Sequence, residues 1–153
     1  MRYFTFQEFE RSDTAARLKI DNRMPELVEA HVVELVDILL DPLREAWGGP
    51  LVVTSGYRCP ELNKAVGGSE TSAHTAGWAA DLVPGDGRGV QELVNSAVEW
   101  LTATGLPYDQ LIDERSGGSR WLHLGIRNLN GEQRRQMLFY ENGKYKNYNV
   151  WQE

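Results

Sequence analysis

Leu51-Val52-Val53-Thr54-Ser55-Gly56-Tyr57-Arg58 and Ser72-Ala73-His74-Thr75-Ala76-Gly77-Trp78-Ala79-Ala80-Asp81-Leu82-Val83 are the stretches from which the fold can be read. The first opens with a β-branched run bounded by glycines, the pattern of a buried strand. The second closes with a small apolar run, Trp78 to Val83, that reads as another strand with Asp81 inside it. A carboxylate flanked by Ala80 and Leu82 is costly to bury unless a cation or a metal meets it, so the local rule is broken for a reason. His74 precedes it on a glycine-framed loop, Ser69 to Gly77, and the one other histidine in an apolar run is His123, in Trp121-Leu122-His123-Leu124. Two histidines and an aspartate can hold one zinc ion and leave its fourth tetrahedral position for water or substrate. Taken singly, each has a plainer role: His74 caps a loop, Asp81 pairs with an arginine, His123 is a satisfied strand histidine. Together they favour the metal.

Working outward, Pro25 suits the start of a helix, and Glu26 and Glu29 complement its positive end. Val28, Val32, Leu35, Val36, Leu39 and Leu43 recur at helical spacing as a buried stripe. Pro42 is expected to kink or end this helix, and Gly48-Gly49-Pro50 to break it. His31 lies beside the stripe with no partner in the spacing and reads as structural or solvated. The segment up to about Asn22 reads as a short helix plus a loop, its aromatics anchored on the core. Pro60 opens a short helix that Gly67-Gly68 stops. Val90, Leu93, Val94, Ala97, Val98 and Leu101 mark a further amphipathic helix that ends near Gly105. Tyr108 to Ile112 and Trp121 to Ile126 are expected strands either side of Gly117-Gly118, and Asn142-Gly143 joins two more in a hairpin. This order predicts an α+β fold: a small, mainly antiparallel sheet with helices on one side. One domain is expected over 1–153, with an N-terminal helical part at 1–50, a metal-site core at 51–126 and a C-terminal hairpin at 127–153.

Composition narrows the partners. The chain has 153 residues, 25% charged and 41% hydrophobic, with a net charge of -6. That charge repels a polyanion and no long basic run offsets it, so no nucleic-acid partner is expected. Cys59 is the single cysteine, which excludes an internal disulfide. The N-terminus lacks the apolar core and cleavage site of a signal peptide, and no run is long enough to span a bilayer. The expectation is a monomer without membrane insertion, cytoplasmic at synthesis.

Two further roles need residues. Arg58 follows the turn after the first strand, and either pairs with Asp81 or surface acids or offers its planar fork to a substrate carboxylate. A hydrolytic site needs a general base within hydrogen-bond reach of the attacking water. Alternation puts Tyr108, Gln110, Ile112 and Glu114 on one face of their segment and Asp109, Leu111 and Asp113 on the other, leaving open which face looks at the metal.

At Ser55-Gly56-Tyr57-Arg58, Ser72-x-His74-x-x-Gly77-x-Ala79-x-Asp81 and Trp121-x-His123, the sequence resembles peptidase M15, the zinc D-Ala-D-Ala carboxypeptidases, and above all its short single-domain members among bacterial and phage cell-wall enzymes. The resemblance is strongest from about Leu51 to Ile126. It implies the fold shared by these peptidases and the hedgehog signalling domain, with His74, Asp81 and His123 as ligands of one zinc ion. It further implies that Arg58 engages a substrate carboxylate, that Ser72 and Tyr57 help to bind substrate, and that the substrate is the peptide stem of peptidoglycan. Relatives carry an acid three residues before the last histidine, where this chain has Arg120. Asp109-Gln110-Leu111-Ile112 is instead similar to a stretch that the short members end with glutamate, which makes Glu114 the expected base and Asp113 the second choice. Arg120 also motivates an alternative, a catalytically inactive peptidoglycan-binding module that keeps the metal site. Without a signal peptide, a wall enzyme of this kind would act once released, as a phage or prophage product is.

Overall fold

The computed structural model describes residues 1–148, so the end of the expected C-terminal hairpin region, 149–153, lies outside the described residues. Two short helices, α1 (Phe6–Glu10) and α2 (Asp13–Leu18), replace the expected single helix and loop. Each has its own N-cap: the Thr5 side chain accepts from the Glu8 N–H and Glu8 reaches back to Thr5, and Ser12 accepts from the Ala15 N–H. The long helical stripe becomes α3 (Glu26–Leu35), a π-helical turn (Val36–Leu40) and α4 (Asp41–Trp47), followed without a gap.

Pro42 therefore does not end the helix as its sequence position suggests. A proline inside an α-helix has no N–H to give and crowds the carbonyl four residues back. Here the turn widens just before it, with the Asp41 N–H bonded to the Val36 carbonyl five residues back, so that Pro42 stands in the first turn of α4. The stripe stays in register across the join: Val32, Leu35, Val36, Leu39, Leu40 and Leu43 are all fully buried.

The strands are β1 (Leu51–Ser55), β2 (Ala79–Pro84), β3 (Gln110–Ser116), β4 (Ser119–Gly125), β5 (Gln136–Glu141) and β6 (Lys144–Asn147), in the sheet order β1-β2-β4-β3-β5-β6. All pairings are antiparallel except β3 with β5. The fold is thus α+β with a mostly antiparallel sheet. Between β1 and β2 come α5 (Pro60–Ala65) and a 3-10 turn (Ala73–Ala76), and α6 (Val90–Thr104) connects β2 to β3. Helix α6 packs on β2 and β4 and against α4. Ala80, Leu82, Leu111, Leu122 and Leu124 form the fully buried side of the sheet. Among the described residues no helix is long and apolar enough to cross a membrane.

Strands β3 and β4 run further toward their connection than hydrophobicity indicates. The polar residues Asp113 to Ser116 hide the strand, but Gly117 and Gly118 both take positive φ, the backbone that a two-residue hairpin turn needs. The ladder consequently continues to Ser116 opposite Ser119, and Asp113 and Glu114 lie inside β3 rather than after it. The expected loop before β2 likewise contains the 3-10 turn, and Gly77 ends it at φ 74°.

Gly77 is where this turn meets α3. A Cβ there would come within 2.7 Å of Val28 Cγ1 and 3.1 Å of the Val28 carbonyl oxygen. Replacing Gly77 with alanine therefore adds a left-handed backbone penalty to an overpacked contact, and the expected loss is about 2–4 kcal/mol. Urea unfolding measures it, and an unchanged midpoint would show that the turn does not depend on this approach.

Candidate metal centre and catalytic cleft

Strand pairing sets the geometry of the site. Asp81 of β2 stands opposite His123 of β4, and His123 opposite Ile112 of β3, so these side chains share one face, turned away from α6. His74 reaches the same point from the 3-10 turn. Its Nε2 lies 3.2 Å from Asp81 Oδ1, and His123 Nδ1 lies 3.1 Å from the same oxygen. One ligand atom from each of the three residues falls within 4.8 Å of the others. The three residues are buried, at 2%, 8% and 6% exposure for His74, Asp81 and His123.

The turn that carries His74 is tied on several sides. The Ser72 hydroxyl caps it, accepting from the His74 N–H at 3.3 Å, and the Arg58 N–H bonds to the His74 carbonyl at 3.1 Å. His31 of α3 donates from Nδ1 to the Ala76 carbonyl at 2.7 Å and stacks on Trp78 with ring centroids 3.9 Å apart. His74 itself donates from Nδ1 to the Gly56 carbonyl at 2.6 Å. Because a carbonyl only accepts, that bond fixes the tautomer and leaves Nε2 with a bare lone pair facing a carboxylate oxygen.

Such an arrangement needs a cation between the two atoms. Burial holds the His74 pKa below its usual value despite the attraction of Asp81, which disfavours a proton there. Burial alone would raise Asp81, but the two imidazoles beside it, His74 and His123, outweigh that and hold the carboxyl well below the usual range. His123 goes up: burial opposes its charge, but the Asp81 hydrogen bond and charge, with the charge of Glu114, prevail. A zinc ion with ligands at about 2.0–2.1 Å in tetrahedral array spaces neighbouring ligand atoms by roughly 3.3 Å. The 3.2 and 3.1 Å separations on Asp81 Oδ1 match that spacing, and two imidazoles with one carboxylate are a zinc donor set. The residues present fit the ion.

Glu114 and Asp113, the two candidate bases, part company. Glu114 shares the face of His123, with Oε1 at 3.6 Å from His123 Nδ1. Its pKa is pushed up to about 7, chiefly by burial, while His123 and Arg58 pull it down and Asp81 adds to the rise. Asp113 points to the helix face, 1% exposed, and Arg120 grips both its oxygens at 2.9 and 2.7 Å. The second-choice base is therefore a structural ion pair, and Arg120 is its partner rather than a replacement for an acid beside the metal.

The three candidate substrate contacts also separate. Arg58 Nη2 donates to Ser72 Oγ at 3.1 Å, and its buried Nε has no partner among the described residues. Burial lowers the Arg58 pKa while Asp81 and Glu114 raise it, placing a guanidinium beside both carboxylates with donors to spare. Tyr57 does not line the cleft. It is 5% exposed in the core, with its N–H on the Phe9 carbonyl and its own carbonyl on Asn22. Asp81 borders a cleft of ≈ 450 Å³ whose other walls include Thr54, Ser55, Val83, Arg120 and Trp121.

His31 and the Gly56 carbonyl carry positioning roles that sequence spacing did not disclose. His31 lies 45 positions from Ala76, and a backbone carbonyl has no side-chain signature to read.

A family model described as Peptidase M15 matches residues 2–123, and no curated protein matches the chain. The match runs from the N-terminal helices to His123 and so contains all three members of the buried group together with Arg58 and Glu114. With most of its length covered, the chain belongs to the peptidase M15 family and is a metallopeptidase of that family.

Proposed function

We propose that the protein is a zinc-dependent peptidase that hydrolyses peptide bonds in peptidoglycan stem peptides, as a D-Ala-D-Ala carboxypeptidase or a related endopeptidase. One observation carries the catalytic reading: Glu114 stands 3.6 Å from His123 on the face of the buried His-Asp-His group, with a pKa of about 7. That value lets one carboxylate accept and return a proton near neutral pH. When bound, zinc would supply a Lewis acid at the scissile carbonyl. Glu114 takes a proton from the attacking water as its oxygen bonds to the carbonyl carbon. The C–N bond then breaks, and Glu114 passes that proton to the leaving amine. Arg58, steadied by Ser72, holds the carboxylate of the substrate. The stem-peptide substrate rests on family membership and on this pairing of a carboxylate clamp with a hydrolytic group. Arg120, the reason to consider a binding-only module, has its guanidinium taken up by Asp113 and Gln91, so its presence before Trp121 does not by itself favour that alternative.

The expected products are D-Ala or short peptides released from purified murein by the zinc-loaded protein, detected by mass spectrometry and lost on chelation. Glu114→Gln should lower kcat by about a hundred- to ten-thousandfold while zinc stays bound. Intact murein under all these conditions would sink the proposal.

The pH dependence has a definite sign. A base must be unprotonated, so kcat/KM should rise with pH through the Glu114 pKa. A cation at the adjacent group stabilises the carboxylate, so the acid limb should have its midpoint below about 7. A profile that stays flat while the pH crosses this range would remove Glu114 from the base role.

A further inference from the structure

The open face of the sheet continues past Glu114. In β3 Glu114 pairs with Trp121 of β4 on one side and with Tyr140 of β5 on the other, and Tyr140 pairs in turn with Tyr145 of β6. These four side chains form one row across four strands, on the face that carries His123. The two tyrosine rings lean together with centroids 4.7 Å apart, and Tyr145 is 60% exposed. The β5-β6 hairpin lies beyond residues 2–123, the span of the family match.

We infer that Tyr140 and Tyr145 form a subsite for the residues on the amino side of the scissile bond, and that this hairpin makes the enzyme favour longer peptides. The inference rests on the peptidase reading above. Arg58 follows β1 at one edge of the sheet, the buried group lies on β2 and β4, and the tyrosines lie on β5 and β6 toward the other edge. A peptide with its carboxylate on Arg58 and its scissile bond beside Glu114 must therefore send its amino side toward the tyrosines. Strand β5 lies two strand spacings from β4, roughly 9.5 Å, which an extended peptide covers in about three residues. The occupant that fits is an uncharged peptide segment: ring faces pack on side chains and the peptide plane, and the exposed phenol offers a donor to a backbone carbonyl. Burial raises the Tyr145 pKa, and the charges of Glu114, Tyr140 and Asp81 add to the rise, so the phenol keeps its proton.

The test compares two peptides sharing the bond cut in murein, one with a single residue on its amino side and one with four, on the zinc-loaded full chain. The wild type should show higher kcat/KM on the long peptide. Tyr145→Ala should lower the long-to-short ratio by about three- to tenfold, through KM. Tyr140→Leu should lower the ratio as well, and Tyr145→Phe isolates the phenol. Thermal melts check that the variants fold; should Tyr145→Ala fail to fold, Tyr145→Leu replaces it. Affinity for the long peptide, measured by calorimetry on zinc-loaded protein carrying Glu114→Gln to slow turnover, should fall with the same ratio. A wild type indifferent to length, or variants that lose activity on both peptides equally, would overturn the subsite and leave the peptidase reading standing. Failure of the wild type on either peptide and on murein would remove both.

Discussion

The architecture turns on one buried oxygen, Asp81 Oδ1, which faces two imidazoles at 3.2 and 3.1 Å. A carboxylate at that depth costs several kcal/mol unless its charge is met. Each neighbouring element contributes to meeting it. The β2-β4 ladder sets His123 opposite, the Gly56 carbonyl aims His74, and α3 presses on the turn that bears His74 at Gly77 and through His31. The hydrophobic core supplies the stability and this polar group draws on it. In the absence of a cation, at least one contact on the oxygen has no proton to share, so the site is built to be completed by something positive.

Two carboxylates in this sheet are both buried and end differently. Asp81 lies in β2 between Ala80 and Leu82, and Asp113 lies in β3 between Ile112 and Glu114. Asp113 meets a guanidinium that binds both its oxygens and becomes a closed ion pair on the helix face. Asp81 meets imidazoles, which are weaker and titratable partners and can give their lone pairs to a metal. The chemical identity of the partner, which strand register decides, separates a structural carboxylate from a functional one.

That register explains what could be read from the sequence and what could not. The strands Leu51–Ser55 and Ala79–Pro84, the helical stripe from Val28 to Leu43 and the amphipathic helix from Val90 were legible because composition or period marks them directly. Asp81 was legible as an anomaly, and His74 and His123 as its companions. The choice between Glu114 and Asp113 was not, because alternation defines two faces without saying which one the helices cover. Pro42 misled because its missing N–H signals a break, whereas the helix absorbs it by widening one turn. Tyr57 misled because its place in a motif says nothing of its direction: the backbone on either side of it, at Gly56 and Arg58, bonds to His74 while the ring joins the core.

The two faces of the sheet divide the work. On the helix side every strand residue near the centre is packed or paired, and a change there is paid for in stability. On the open side polar and aromatic groups lie in rows set by the strand pairing, held from below by that packing. Glu114 stands where the two requirements meet: apolar surroundings dry enough to raise its pKa, and an exposed edge near enough for a substrate to reach it. A carboxylate in water would titrate too low to hand a proton back at neutral pH, and one as enclosed as Asp113 could touch no substrate. Partial burial is what suits Glu114 to the proposed role of base, and it follows from Glu114 lying toward the end of β3, with Trp121 on one side and Tyr140 on the other.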